Sequence, residues 1–325
     1  RVFEKVRKEL YMLFNYEQTD GYEGVLGKIK EWISHPLFVS LLKKYGYAVD
    51  NSLSFEEKLQ GLIEFSDQWD FRGMQNRSRW EVADQSLDNE AETMIYQAAQ
   101  VQELMGCNIP EKKQYDYVFV LGGARMSCLF RMKYAKQVCE EYGLKVGEIA
   151  GLAGMRPVMD TERKATDTYA LDAQTEFDLM RAAMCQIYEQ PEAISTRKKI
   201  LENLNASWAI EEYQSGNQKI SLLAAPSGEP QKRRANTADT FSFFMDEKKA
   251  GKRKKILLIT SQIYVPYQQL EAVRMLGIPF EHSVETIGFP GEWSAGLQGL
   301  QKPENYLQEM RSVLQSAGRI LSMKR

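Results

Sequence analysis

The stretch that decides the fold, residues 117–131, reads YVFVLGGARMSCLFR. Its apolar first part is typical of a strand that a parallel sheet buries on both faces, and the part after the break reads as a helix. The break is a pair of glycines, Gly122 and Gly123. The pair fits a tight turn, but glycines at the end of a strand also let the backbone approach an anionic ligand closely.

Similar apolar runs recur along the second half of the chain and alternate with helical patterns. Residues 115–121, 220–225 and 255–260 read as buried strands, residues 148–154 are a weaker strand candidate, and residues 280–289 fit an edge strand. This alternation is typical of βαβ units with a parallel sheet. The helices predicted between the strands cover residues 126–143, 173–189, 237–250 and 266–276. A last helix is predicted to begin after Pro303.

The first part of the chain has a different, helical texture. Residues 2–14 and 24–46 place apolar side chains at helical spacing, and Pro36 interrupts the second of these stretches. Ser54, followed three residues later by Glu57, has the form of a capping box that opens another helix. This part therefore reads as a helical cap or bundle.

These two textures predict the fold class and its division. We expect an α/β protein with a Rossmann-like, mostly parallel sheet flanked by helices and an N-terminal all-helical region. The helical cap or bundle would cover residues 1–110, and the α/β domain would cover residues 111–325. Within the second part, residues 190–216 read as a helical insertion.

Composition and charge argue against several classes of protein. The chain has 325 residues and a formal net charge of −2, which gives no global attraction to nucleic acid or acidic membranes. No run approaches the ~18 apolar residues of a membrane span. Two histidines exclude a histidine-rich metal site and argue against a Ser-His-Asp triad. Four widely spaced cysteines favour a reducing, cytoplasmic location, while Arg rather than Met at position 1 leaves room for an upstream segment.

Candidate ligand-binding residues follow the first two predicted strands. In an open parallel sheet, ligands bind beyond the carboxyl ends of the strands, so the loops at that edge carry the candidates. Arginine side chains there suit phosphate or carboxylate, because guanidinium offers a planar fork of donors. The candidates in and just after these two loops are Gly122, Gly123, Arg125, Arg131, Gly154 and Arg156.

The loops after the next two strands are also polar. Residues 225–241 form a long polar connection, which is more typical of a functional loop than of a simple turn. Asn236 with Asp239 also fits plain N-cap chemistry. The candidates in these two loops are Ser227, Glu229, Arg234, Asn236, Thr237, Thr260 and Ser261. Four loops of compatible chemistry on one rim predict an anionic small-molecule ligand.

Two glutamates are candidate catalytic residues. Glu162 and Glu176 follow the second loop, and either could act as a general base or accept a hydrogen bond from a ligand hydroxyl. The alternative for Glu176 is that it caps the helix at whose start it stands. Together with Glu229 and Asp239, these carboxylates could also hold a divalent metal, although no spacing demands one. The lone Cys128 is expected in the core rather than as a nucleophile.

The order and spacing of these motifs resemble the YdcF/SanA-like family of Rossmann-like domains, over about residues 115–290. That family has a strand ending in Leu-Gly-Gly with a following helical Arg, a glycine-rich loop followed by a helical Glu, a polar segment before a helix, and a strand ending in Thr-Ser. The matching positions here are Gly122, Gly123 and Arg131, residues 151–156 with Glu176, residues 234–239, and Thr260 with Ser261.

The resemblance implies a nucleotide-like ligand, with S-adenosylmethionine as one candidate cofactor. The chain departs from the family at Tyr264 and Tyr267, which stand where the family usually has His and Arg. The function that those two residues serve in the family is therefore absent here or supplied otherwise. A tyrosine can still hydrogen-bond or stack on a ring.

The sequence leaves more than one function open. The first is an enzyme of unknown reaction that binds a nucleotide-like or phosphorylated small molecule at the carboxyl-terminal edge of the sheet. The second is a non-catalytic ligand-sensing module with the same pocket, whose helical half relays occupancy or docks a protein partner. The third is a protein-interaction role with a degenerate pocket.

Overall fold

The computed structural model describes residues 14–71, 87–106, 108–296 and 299–324. Within these residues the protein is an α/β fold with a mostly parallel sheet flanked by helices and an N-terminal helical region, so the predicted fold class is confirmed. The helix predicted over residues 2–14 lies almost wholly outside the described residues.

The sheet has seven strands within the described residues, in the order β3-β4-β5-β2-β1-β6-β7. The strands β5, β2, β1, β6 and β7 are parallel, while β4 pairs antiparallel with both β3 and β5. The predicted edge strand at the end of the chain is confirmed as β7. The strands are β1 Gln114–Leu121, β2 Lys145–Gly154, β3 Ala193–Lys199, β4 Trp208–Ser215, β5 Gln218–Ala225, β6 Lys255–Ser261 and β7 Ser283–Phe289.

The helices begin close to the predicted positions. The capping box of Ser54 and Glu57 is confirmed, and Pro303 opens the last helix as predicted. No helix among the described residues is long and apolar enough to cross a membrane. The α-helices of seven or more described residues are α1 Gly21–Ser34, α2 Pro36–Lys44, α3 Phe55–Phe65, α4 Asn89–Val101, α5 Ser127–Glu141, α6 Asp160–Thr166, α7 Glu176–Ile187, α8 Thr237–Lys248, α9 Val265–Ala272 and α10 Pro303–Leu321.

Both faces of the sheet are covered, which explains the continuous apolar runs of its central strands. Because successive side chains of a strand point to opposite faces, Val118 and Val120 of β1 pack with α5 and α7, whereas Phe119 and Leu121 pack with α8, α9 and α10. The N-terminal helices bury residues such as Trp32 in this second core. The helical region and the sheet therefore share a hydrophobic core.

Residues 190–216 do not form the predicted helical insertion. They form β3 and β4, an antiparallel pair at the edge of the sheet. Side chains of β4 pack on alternate faces of the sheet, as those of a strand do, because Ile210 lies in one core while Ala209 and Tyr213 lie in the other. The edge strand β3 is mostly exposed, so no apolar run marks it in the sequence.

Candidate functional site

A cavity of about 620 Å³ lies where the strand order reverses. The chain runs from β1 through β2 to β5 on one side and then returns to β6 and β7 on the other side of β1. In open α/β sheets the crevice at such a reversal, beyond the carboxyl ends of the strands, is the usual ligand site. The lining includes the strand-end residues Leu121, Gly154, Ala225 and Ser261. None of the described residues before Leu121 contributes to it.

Most of the predicted site residues meet in this cavity. Those in its wall are Gly122, Gly123, Arg125, Arg131, Gly154, Arg156, Glu176, Arg234, Asn236, Thr237 and Ser261. Four others lie outside the lining. Glu162 and Thr260 are fully buried behind it, Ser227 is almost fully buried, and Glu229 pairs with the neighbouring Lys232 and Arg233.

The paired glycines are required by close packing of the chain against itself. A Cβ atom at Gly122 would overlap Oε1 of Glu176 and lie 3.0 Å from the carbonyl oxygen of Leu152. At Gly123 a Cβ atom would lie 3.0 Å from Nη1 of Arg131. The absence of a side chain at both positions therefore lets two charged side chains, Glu176 and Arg131, reach the end of β1.

Arg131 ties together the two strands at the reversal. Its buried guanidinium donates to the carbonyl oxygens of Leu121, at 2.9 Å, and Gly122. Nε and Nη2 also donate to Oγ of Ser261 at the end of β6, at 3.3 and 3.0 Å. The same guanidinium lies 5.9 Å from the ring centre of Tyr264. A positive charge is thus fixed directly beneath the glycine turn.

Arg156 forms the second fixed cation, held between two carboxylates. Nη1 and Nη2 donate to Oε2 and Oε1 of Glu162 at 2.5 and 3.1 Å, and Nε donates to Oε2 of Glu176 at 3.2 Å. Glu162 also accepts from the backbone N–H of Arg125 and Met159, at 3.1 and 3.0 Å. Burial alone would raise the pKa of Glu162, but these donors outweigh it and hold the pKa below its usual range. Glu162 is therefore an ionised anchor for Arg156.

The loop between β1 and α5 is held in an uncommon conformation. Arg125 has a φ of 52°, in the left-handed region that residues other than glycine rarely adopt. Its N–H is bound by Glu162, and its carbonyl oxygen accepts from Oη of Tyr169 at 2.9 Å. Backbone strain of this kind is found where surrounding contacts over-determine a loop, often at ligand sites.

Helix capping was considered for Asn236 and for Glu176, and it is confirmed only for Asn236. Asn236 caps α8, with Asp239 completing the capping box, as the plainer interpretation predicted. At α7 the box is formed by Thr175 and Asp178. Glu176 is therefore the first helical residue, not the cap, and its side chain is part of the cavity wall.

The electrostatics of the cavity favour an anion. Helices α5, α7, α8 and α10 all begin at its wall, and helix N-termini carry partial positive charge. Among the described residues, the lining has one carboxylate, that of Glu176, and six cationic side chains. The cationic residues are Arg125, Arg131, Arg156, Arg233, Arg234 and Lys302.

Several lining residues are not predictable from the sequence alone. Asn205 comes from the turn between β3 and β4. The sequence predicts a helical insertion there, so it does not indicate that Asn205 lies at the rim of the cavity. Lys302 and Asn305 come from the start of α10, far along the chain. Tyr264 and Tyr267, singled out by the family comparison of motifs, do line the cavity.

The carboxylates considered as metal ligands are occupied by arginines. In the described part of the chain, no group of three or more His, Cys, Asp or Glu side chains is placed to hold a metal ion. Two of the four carboxylates pair with Arg156 and the other two with Arg233: Glu162, Glu176, Glu229 and Asp239.

Cys128 lies in the core, as expected, and should be unreactive in the folded protein. Its Sγ lies 3.2 Å from the carbonyl oxygen of Gly123, and burial raises the pKa of the thiol to about 12. We expect iodoacetamide at neutral pH to leave Cys128 unmodified until the protein is unfolded, as measured by peptide mass spectrometry. The half-buried Cys185 is the internal control. Equal labelling of both thiols in the folded protein would contradict this placement.

Comparisons with known proteins give similarity without an activity. A family model described as the Rv3785 N-terminal domain matches residues 17–103, which contain α1 to α4. The chain is 29% identical over 318 residues to the uncharacterized protein Rv3785 of Mycobacterium tuberculosis (strain H37Rv), covering 90% of this chain and 88% of that protein. The same figures hold for the uncharacterized protein Mb3814 of Mycobacterium bovis. No solved structure matches the chain.

Proposed function

We propose that the cavity at the strand reversal binds a phosphorylated or nucleotide-like small molecule. The observation that carries this proposal is the concentration of arginine side chains and helix N-termini around one cavity. Its volume, about 620 Å³, falls within the ~300–1,000 Å³ typical of small-molecule sites. Arg131 and Arg156 are held in place by their own hydrogen bonds, so a phosphate would meet preorganised charge.

The charge of the lining ranks the candidate ligands. S-adenosylmethionine, the ligand suggested by the resemblance to the YdcF/SanA-like family, carries a sulfonium cation and an ammonium group. Cationic side chains repel both, whereas they attract phosphate. A phosphate ester is therefore a better candidate ligand than S-adenosylmethionine. The proposal also includes a Rossmann-like domain and a cytoplasmic location. The free thiols of Cys128, Cys139 and Cys185 accord with that location.

If the protein turns its ligand over, Glu176 is the residue we propose as its acid–base group. It is the predicted catalytic residue whose side chain belongs to the cavity wall, whereas Glu162 is committed to Arg156 and two backbone amides. The second candidate function is ligand sensing without turnover. The ion pairs of both glutamates with Arg156 favour it, because they commit both carboxylates to a cation of the protein itself.

Arg234→Ala tests the binding site. Arg234 is exposed at the cavity rim, so its removal should weaken binding of pyrophosphate or ADP about tenfold while leaving the fold intact. The measurements are isothermal titration calorimetry and thermal unfolding with phosphate, pyrophosphate, ADP, a sugar nucleotide and S-adenosylmethionine. A ligand at ~100 times its dissociation constant stabilises the folded state by about 2.7 kcal/mol.

The matched control is Lys232→Ala. Lys232 lies two positions before Arg234, but it is 77% exposed, pairs with Glu229 and is not part of the lining. The Lys232→Ala variant should bind every ligand with the same affinity as the wild type. Failure of all the phosphorylated ligands to bind the wild type, or equal losses in both variants, would reject the site. Product formation from a bound ligand, followed by NMR, then separates enzyme from sensor.

A further inference from the structure

Glu176 has a position that neither helix capping nor charge balance explains. The cap of α7 is already complete in Thr175 and Asp178, so the helix does not need a carboxylate at its first residue. Arg156 already has a bidentate partner in Glu162, which is fully buried. Yet the Glu176 side chain is only 16% exposed and stands among cations that would otherwise form an unbroken anion site.

The carboxylate of Glu176 is fixed with acceptor capacity to spare. Oε2 accepts from Nε of Arg156 at 3.2 Å, and Oε1 rests against Gly122. An ionised carboxylate offers about four lone-pair sites and no donor. It therefore repels phosphate and suits a ligand group that donates a hydrogen bond. Because the surrounding lining is cationic, an ammonium group is disfavoured there, and a hydroxyl group is the donor that fits.

The rest of the lining is suited to hydroxyl groups as well. Carboxamide and hydroxyl side chains both donate and accept, as a sugar hydroxyl does. Tyr264 and Tyr267, across the strand reversal, add aromatic surface on which a ring can pack. The uncharged polar residues of the wall include Asn205, Asn236, Thr237, Gln268, Gln301 and Asn305.

We infer that the ligand is a phosphate ester of a hydroxylated ring, a ribose or a hexose, and that Glu176 accepts hydrogen bonds from the ring hydroxyls. This inference rests on the proposed function. It makes Glu176 the residue that distinguishes such an ester from inorganic phosphate, and it places the phosphate beside Arg125, Arg131 and Arg156. Ring and phosphate would then lie at adjacent positions along the same wall.

The test compares wild type with Glu176→Gln on paired ligands that differ only in hydroxyl groups. The probes are ADP against 2′,3′-dideoxy-ADP, glucose 1-phosphate against 2-deoxyglucose 1-phosphate, and pyrophosphate alone. For at least one pair, we expect wild type to bind the hydroxylated member roughly 10- to 100-fold more tightly, the range for a hydrogen bond to a charged group. Glu176→Gln should lose this preference and bind pyrophosphate at least as tightly as before, because a negative charge has been removed.

These opposite effects would exclude a merely structural role for Glu176, since a damaged fold would weaken the binding of every ligand. Glu229→Gln is the matched control, because Glu229 also pairs with an arginine but lies outside the lining, and it should behave as wild type. If pyrophosphate binds but no pair is distinguished by wild type, the hydroxyl inference is wrong and the anion site stands. If none of the probes binds, both are wrong. The pair that shows the preference identifies the ring as ribose or hexose.

Discussion

Arg156→Ala should lower the free energy of unfolding by about 3–5 kcal/mol at neutral pH, the typical cost of removing one partner of a buried ion pair. The reason is the carboxylate of Glu162, which is 0% exposed and would lose two hydrogen bonds from the guanidinium. Its remaining donors, the N–H groups of Arg125 and Met159, do not neutralise the charge. Urea unfolding followed by circular dichroism measures the loss.

The same substitution should reverse the sign of one contribution to the pH dependence of stability. In wild type the pKa of Glu162 lies below its unfolded value of about 4.3, so its contribution is present above that pH and is lost on acidification through the folded pKa. Without Arg156, burial would raise the pKa of Glu162 above the unfolded value. That penalty is present at neutral pH and disappears on acidification. The stability gap between variant and wild type should therefore narrow as the pH falls towards about 4.

Arg197→Ala is the control for a broken ion pair at the surface. Arg197 is 54% exposed and pairs with Glu247 at 3.0 Å, so its loss should cost less than about 1 kcal/mol. Equal losses in the two variants would show that Glu162 is not buried as described. A gap for Arg156→Ala that stays constant with pH would show that Glu162 does not titrate against the buried charge.

The central sheet was predictable because burial on both faces leaves a simple signal. Strands β1, β5 and β6 are runs of apolar residues bounded by polar turns, and their interior positions admit little else. The edge strand β3 lacks this constraint, since one side of it meets solvent. Without an apolar run or an alternating pattern, the local sequence of β3 carries no strand signal, and residues 190–216 therefore resemble a helical insertion.

The residues of the candidate site were predictable from the sequence, but their arrangement was not. Loops at the carboxyl edge of a parallel sheet must converge, so residues such as Arg156 and Arg234 could be placed near one another from strand positions alone. The division of labour between Glu162 and Glu176 could not, because both follow the same strand. Only the path of the backbone decides which one turns behind Arg156 and which one enters the wall.

The glycine pair has a physical cause that its sequence motif does not show. The sequence suggested that Gly122 and Gly123 make room for a ligand. In the structure the room is taken by Glu176 and Arg131, the groups that would contact a ligand. The glycines therefore act indirectly. They let the charged side chains approach the end of β1, and these side chains form part of the cavity wall.

Gly122→Ala should accordingly destabilise the protein by about 1–3 kcal/mol, the usual cost of inserting a methyl group into a filled space. The new Cβ atom would overlap Oε1 of Glu176 and lie 3.0 Å from backbone atoms of Leu152 and Ala153. Glu176 cannot simply swing away, because Arg156 holds its other oxygen. The loss is measured by urea unfolding and should be accompanied by a weaker preference for hydroxylated phosphate esters, since the carboxylate is displaced.

Gly154→Ala is the matched control on the same cavity wall. A Cβ atom at Gly154 has its nearest neighbour, the backbone nitrogen of Arg156, at 3.9 Å, which is ordinary van der Waals contact. This variant should be as stable as wild type or up to about 1 kcal/mol more stable, because alanine restricts the unfolded chain. If Gly122→Ala were equally harmless, Glu176 would not be packed against the end of β1. The proposed recognition of ligand hydroxyls would then lose its structural basis, because it depends on a carboxylate fixed at that position.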